Sequence, residues 1–175
     1  MTKKIIDGKK IADKILNELK SKIKNSKQKP GLALVLVGNN PASEIYVNFK
    51  EKTCKEIGFY CDRFNLEENI SEIDLLNLIN NLNQKANIHG ILVQLPLPKH
   101  IDEHLIVNSI LPQKDVDGFT PVNLGNLVCE KIILAPATAR AVLYLIESTT
   151  VNIQGKNAVV VGRSNIVGKP VAMML

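Results

Sequence analysis

Leu32-Ala-Leu-Val-Leu-Val37, then Gly38-Asn-Asn40, then Pro41-Ala-Ser43-Glu-Ile-Tyr46-Val-Asn-Phe-Lys50 is the stretch on which the reading of this chain turns. A short unbroken apolar run bounded by turn residues reads as a buried strand. Asn40 is a good helix cap and Pro41 suits the first helical position, so the strand passes through a tight turn into a helix. Gly58 is the natural stop for that helix. Tyr46 and Lys50 stand four apart and share one helix face near the strand's carboxyl end. Open α/β sheets bind their ligands at that end. A phenol and an amine placed together there can stack on a ring, move a proton, or both. The same spacing also occurs as a solvated ladder with a partly buried ring, so the pair alone leaves both readings open.

On the N-terminal side, Lys4-Ile-Ile6 is predicted to be a short strand, and Asp7 to cap a helix running to about Lys24. Ile11, Ile15, Leu16, Leu19 and Ile23 give that helix an apolar stripe. Beyond Gly58, Tyr60 to Phe64 reads as a second strand. Ser71, with Asp74 three residues on, starts a helix through about Gln84, with a stripe of Ile73, Leu76, Ile79 and Leu82. Ile88 to Gln94 reads as a strand that ends in the proline-punctuated Leu95-Pro-Leu-Pro98, and Glu103 to Leu111 as a helix. Pro112 to Phe119 is a polar loop. Short helices are predicted near Val122 to Leu127 and from about Ala139 to Glu147. Asn157-Ala-Val-Val-Val161 reads as a buried strand, Gly162 to Gly168 as a turn, and a helix begins near Lys169-Pro170. Alternating strands and helices predict an α/β fold with a mostly parallel sheet.

The 175 residues suffice for one good-sized domain or for one domain and part of another. With 45% hydrophobic and 22% charged residues, the composition is that of a soluble globular protein. The net charge of +5 comes mainly from dispersed lysines, and there is no Trp. Neither a basic stripe nor aromatic stacking platforms are present, which argues against nucleic acid as a partner. Cys54, Cys61 and Cys129 are an odd number without CxxC spacing. That argues against a disulfide framework or a zinc site and fits reduced cytosol. No signal core is seen at the start, and no apolar run reaches the roughly 18 residues of a membrane span, so the expected location is the cytoplasm.

Three further motifs carry chemistry. Gly162-Arg163-Ser164-x3-Gly168 lies between a predicted strand and a helix and has the build of a phosphate turn. It is neither a Walker A loop nor a strict GxGxxG, since Ser164 stands where the middle glycine would be. Arg163 places a cation where a nucleotide 2′-phosphate would sit, favouring NADP over NAD by analogy. An ordinary βα turn with a stray arginine is the competing reading. His100 and His104 are four apart, but Pro98 and Asp102 place the first before the helix cap and no third ligand is evident, so no metal is expected. Asp115 and Asp117 are either a carboxylate pair or part of a solvated turn.

Four blocks occur in order: Gly38-Asn-Asn-Pro-Ala-Ser43-x2-Tyr46-x3-Lys50, Gly90-Ile-Leu-Val-Gln94-Leu-Pro-Leu-Pro98, Lys114-Asp-Val-Asp117-Gly118-Phe119 and Gly162-Arg-Ser-Asn-Ile-Val-Gly168-Lys-Pro170. Together they closely resemble the bifunctional methylenetetrahydrofolate dehydrogenase/methenyltetrahydrofolate cyclohydrolase family, and the likeness covers the whole chain. Short-chain dehydrogenases also carry Tyr-x3-Lys, but their glycine turn precedes that pair. The resemblance implies a cytoplasmic enzyme of one-carbon metabolism and purine biosynthesis, homodimeric in the family. It would oxidise 5,10-methylenetetrahydrofolate with NADP and hydrolyse the methenyl cation to 10-formyltetrahydrofolate. It implies that Lys50 handles protons in the water step, which asks for a partly neutral amine. Gln94 would hydrogen-bond and tune that lysine, and Tyr46 would stack on the folate ring. Asp117 would hold the pterin's N–H donors, with Ser43 a further substrate contact, and Gly162, Arg163 and Ser164 would contact the cofactor.

The resemblance also implies an N-terminal folate-binding domain over residues 1–148 and only the opening of a Rossmann-type NADP-binding domain over 149–175. Family members continue well beyond the glycine turn, so the nicotinamide half of the cofactor site and the usual dimer contacts are expected to be missing. Ala158 to Val161 and Val171 to Leu175 would then be exposed apolar segments prone to aggregation. The family commonly has Pro-Cys-Thr-Pro before the helix joining the domains. Here Pro136-Ala-Thr138-Ala stands in its place, with Thr138 expected to cap that helix. The alternative reading is a non-catalytic truncated remnant that binds folate weakly or needs a separate C-terminal piece.

Overall fold

The computed structural model describes residues 5–132 and 134–175. The chain forms α1 (Gly8–Lys24), β1 (Gly31–Val37), α2 (Pro41–Ile57), β2 (Tyr60–Leu66), α3 (Glu72–Gln84), β3 (Gly90–Val93), α4 (Glu103–Ser109), α5 (Pro121–Val128), α6 (Ala137–Glu147) and α7 (Gly168–Met174). It divides into two compact units, one spanning Leu19–Val116 and the other holding the residues on either side.

In the Leu19–Val116 unit the three strands are parallel and ordered β2-β1-β3. The central strand explains its own sequence. Successive strand residues point to opposite faces, and β1 is covered on both. Leu34 and Leu36 join Val47 of α2 and Leu92 of β3 on one face. Ala33, Val35 and Val37 join Leu75, Ile79 and Leu82 of α3 and Ile106 of α4 on the other. A strand buried on both sides has no polar positions to spare, hence the unbroken apolar run. Leu34 is completely buried, and burying such a side chain is worth about 1.5–3 kcal/mol.

The ends of α2 are fixed locally. Asn40 Oδ1 accepts from the Ala42 and Ser43 N–H groups at 3.0 and 3.1 Å. Gly58 closes the other end in the left-handed region at φ +94°, with its N–H donating to Lys55 O. Asp7 Oδ1 accepts from Lys10 N and Ser71 Oγ from Asp74 N, so α1 and α3 also start where the sequence places them.

Five expectations are corrected. Ile5 and Ile6 lie outside any strand, while Lys4 falls outside the described residues. The inward stripe of α3 includes Leu75 rather than Ile73, which is exposed, while Leu76 is half-buried against the same core. At about 100° per residue Ile73 lies roughly 200° round the helix from Leu75, on the outward face. Thr138 lies inside α6, whose cap position is Pro136 without a side-chain cap bond. Asn157 to Val161 forms no strand, and Val159 and Val161 are almost fully exposed. A parallel strand needs a neighbour to fill its backbone hydrogen bonds, and among the described residues none stands beside this segment. Val171, by contrast, is buried, so the expected exposure of Val171 to Leu175 fails there, while Ala172, Met173 and Leu175 are exposed.

The other unit is helical among its described residues. α7 packs against α5 and α6. Ile11, Ala12 and Ile15 of α1 face Ala137, Ala141 and Tyr144 of α6 across an open apolar groove of about 370 Å³. Thr120 caps α5 through its side chain.

Candidate active site

In an open parallel sheet the ligand crevice lies where successive connections leave in opposite directions. Here that point falls between β1 and β3. From β1 the chain crosses by α2 to β2 on one edge, and by α3 it then crosses to β3 on the other.

Gln94 directly follows β3, its N–H donating to Val35 O of β1 at 2.9 Å. Its side-chain amide is oriented by its own chain, since Nε2 donates to Leu95 O at 2.8 Å. Oε1 is therefore turned outward, and Lys50 Nζ donates to it at 3.1 Å. Both side chains are half-buried. Tyr46, one turn earlier on α2, is 63% exposed, leaving its ring face open to a ligand. Ser43, in the first turn of the helix, is buried. The loop after Gln94 is pinned as well: Glu103 Oε1 accepts from Leu97 N at 2.9 Å, and Glu72 Oε2 accepts from Asp102 N at 2.7 Å.

The opposite flank of α2 is clamped to β2. Arg63 Nη1 donates to Asn48 Oδ1 at 2.5 Å and to Glu51 Oε2 at 3.0 Å, and its Nε donates to Asn65 Oδ1 at 2.8 Å. The hydrogen bond from Lys55 and the neighbouring Arg63 guanidinium hold the Glu51 carboxyl below the usual carboxylate range. Deeper in, burial pushes the Cys54 thiol up to about 11, with the adjacent Cys61 adding to the effect.

Asp117 belongs to the other unit, where it opens the second stretch of chain and is half-buried. Gly118 follows at φ +70°, and a Cβ there would meet Ala135 C and Pro136 N at 2.8 Å, so only glycine fits. The glycine turn is closely built. A Cβ on Gly168 would lie 2.5 Å from Gly162 C and O. Ser164 Oγ accepts from Val167 N at 3.1 Å and Gly168 N at 3.2 Å. Gly162, Arg163 and Ser164 are all exposed. The histidines play another part: Asp102 caps α4, and His100, ahead of it, donates from Nε2 to Ile70 O at 2.9 Å.

Of the residues singled out from sequence, the structure brings Lys50 and Gln94 into direct contact, with Tyr46 on the same helix face. Sequence reasoning missed Arg63, Glu103 and Lys114. Only Lys114 lay within a motif already quoted.

Residues 6–117 match the tetrahydrofolate dehydrogenase/cyclohydrolase catalytic domain, and residues 136–175 match the NAD(P)-binding domain of the same family. The chain is 51% identical over 174 residues to the bifunctional protein FolD of Geotalea uraniireducens, covering 98% of this chain and 62% of the relative. It is 50% identical over 178 residues to that of Moorella thermoacetica, covering 100% and 64%. Among solved structures, the FolD methylenetetrahydrofolate dehydrogenase/cyclohydrolase of Campylobacter jejuni superposes with a TM-score of 0.94 at 45% identity, covering 98% of this chain and 62% of that one. A Trypanosoma brucei enzyme, solved with NADP cofactor and inhibitor, gives 0.93 at 35% identity over 98% and 60%. The chain thus spans 62% to 64% of the length of these two FolD relatives. Its ordered motifs, sheet topology and matched domains place it in the tetrahydrofolate dehydrogenase/cyclohydrolase family.

Proposed function

We propose that this chain carries the folate-handling part of an enzyme that oxidises 5,10-methylenetetrahydrofolate with NADP and hydrolyses the product to 10-formyltetrahydrofolate. The observation that carries the reading is the Lys50–Gln94 hydrogen bond at the switch point of the sheet. In the water step the methenyl cation gains hydroxide from water and a proton is released. Lys50 is the group that moves that proton. Gln94 holds the amine by one N–H bond, which fixes where the nitrogen's remaining valences point. Tyr46 offers an exposed ring on the same helix face for stacking against the substrate. Asp117, assigned from its motif, accepts from the pterin's N–H donors. That recognition rejects analogues lacking them, because unpaired buried acceptors are costly. Ser43 supports the same substrate contact from the first turn of α2.

The glycine turn fits a phosphate group: its backbone approach tolerates no side chain at Gly168, and Arg163 is an exposed cation beside it. Arg163 and Ser164 would hold the 2′-phosphate of NADP, with Gly162 giving close backbone approach. NADP, when bound, supplies the hydride acceptor. The same reading divides the chain into a folate-binding part over residues 1–148 and the opening of a cofactor part over 149–175. It places the protein in the cytoplasm, in one-carbon metabolism and purine biosynthesis; the homodimer of the family is not carried over, because its usual contacts are expected to be missing from this chain. A second reading, folate binding without turnover by this chain alone, is favoured by the exposed, unpaired Val159 and Val161.

The test joins this chain to the remaining dinucleotide-binding segment of a relative and measures NADP reduction with methylenetetrahydrofolate, then hydrolysis of methenyltetrahydrofolate. Activity that disappears in Lys50→Ala supports the assignment. An undiminished hydrolysis rate in that variant overturns it. Turnover by the 175-residue chain on its own would rule out the second reading.

A further inference from the structure

Lys114 lies in the loop after α4, and its Nζ donates to three main-chain carbonyls: Leu82 O at 3.2 Å, Asn83 O at 2.8 Å and Lys85 O at 2.9 Å. These are carbonyls at the end of α3, where a helix runs out of its regular i+4 donors; Leu82 O also accepts from Lys85 N, and Lys85 O from Ile88 N. A cation also suits that negative pole. α3 has no basic residue in its own last turn, so the group is supplied from 29 to 32 residues away.

The residues that follow are moored in turn. Lys114 O accepts from Ile91 N of β3 at 2.7 Å. Asp115, buried, pairs with Ile91 as a parallel bridge. A Cβ on Gly90 would sit 2.4 Å from Val116 Cγ1, so Val116 occupies the space that a glycine leaves open. Three consecutive residues are thus fixed to α3, Ile91 and Gly90. Asp117 is the next residue.

We infer that Lys114 is a positioning residue: by closing the end of α3 it holds the Lys114-Asp115-Val116 run along β3 and so sets the backbone from which Asp117 meets its ligand. The inference rests on the reading of Asp117 as a folate contact, and Lys114 acts through the main chain rather than by touching the substrate. A recognition group is accurate only when the structure behind it is rigid. The competing explanation is that Lys114 merely adds stability to α3.

The test uses the full chain with Lys114→Met, which keeps the stem and removes the donors, and Lys114→Arg, which restores them. Leu75→Ala serves as a control that destabilises α3 from its core side. Amide hydrogen exchange is followed at Ile91 and Asp115 to Asp117. The affinity for 5-formyltetrahydrofolate is measured by calorimetry well below the unfolding temperature. Lys114→Met should speed exchange at those amides selectively and weaken the folate probe by about 10-fold, as misplacement of a contact group does. Lys114→Arg should recover most of both, and Leu75→Ala should lower stability without changing the affinity of the folded chain. Unchanged exchange at Asp115 to Asp117 in Lys114→Met overturns the inference, as does an equal loss of affinity in Leu75→Ala. If wild type does not bind the probe, or Asp117→Asn binds it as wild type does, the folate reading of Asp117 fails instead. The exchange result still decides the role of Lys114.

Discussion

Lys50 Nζ and Gln94 Oε1 meet at 3.1 Å across 44 residues of chain, one on a helix and the other just past a strand. The amide is already committed to Leu95 O through its nitrogen, so it presents only an acceptor to the amine. Gln94→Leu should therefore remove the hold on Lys50 while leaving the amine in place. In the chain completed with a relative's cofactor segment, Lys50→Met should cut hydrolysis of methenyltetrahydrofolate by about 100-fold or more, the scale of a lost general acid–base group. Gln94→Leu should give a smaller loss and a displaced pH–rate profile. Matching profiles for wild type and Gln94→Leu would contradict the pairing.

Arg63 ties α2 to β2 through Asn48 and Glu51, with side-chain exposures of only 17% and 21% at the ion pair. Arg63→Met should lower unfolding stability by about 1.5–3 kcal/mol, as for a partly buried hydrogen bond to a charged group. In denaturant melts, Glu51→Gln in the Arg63→Met background should cost less than Glu51→Gln alone. Strictly additive losses would show that the two residues do not act together.

Cys54 carries a pH dependence. Its pKa rises from an ordinary 9.0 to about 11 on folding, chiefly through burial. Between those values the folded chain keeps a proton that the unfolded chain has released. Stability from this group is therefore full below pH 9.0 and is lost as pH climbs through about 11. The loss should be roughly 3 kcal/mol, at about 1.4 kcal/mol per pH unit over the two units. Denaturant melts of wild type and Cys54→Ala across that window should converge by about that amount. Parallel curves would refute the burial account.

Gly168 touches Gly162 so closely that Gly168→Ala cannot keep the turn. The Val167 and Gly168 N–H groups should lose their bonds to Ser164 Oγ and exchange faster with solvent. Retained protection at both amides would show that the turn absorbs a methyl group.

What could be read from sequence was what is decided locally. Asn40 and Gly58 bracket α2 because capping depends on one residue and its near neighbours. The apolar run of β1 marked a strand covered on both faces. The Lys50–Gln94 pairing came from recognising ordered motifs, since periodicity carries no information about residues 44 apart. Arg63 and Lys114 went unseen for the same reason, each being a long polar side chain that reaches a partner 12 or more residues away; Glu103 meets Leu97 only six residues off, but no local signal marks that contact. Ile73 is exposed because Leu75, Ile79 and Leu82 set the inward face of α3, and two residues turn the helix by roughly 200°. Asn157 to Val161 was misread because β-propensity specifies a strand only where a neighbour exists to pair with it.

The capped ends of α2 set its angular phase. Each residue turns the helix by about 100°. Inserting one residue between Asn40 and Lys50 would carry the amine to the azimuth of Glu51, where it would confront the Arg63 guanidinium. Deleting one would swing it to the azimuth of Phe49, which is 66% exposed. Nine intervening residues, no more and no fewer, aim the amine at the amide, so this segment tolerates substitutions far better than any change of length.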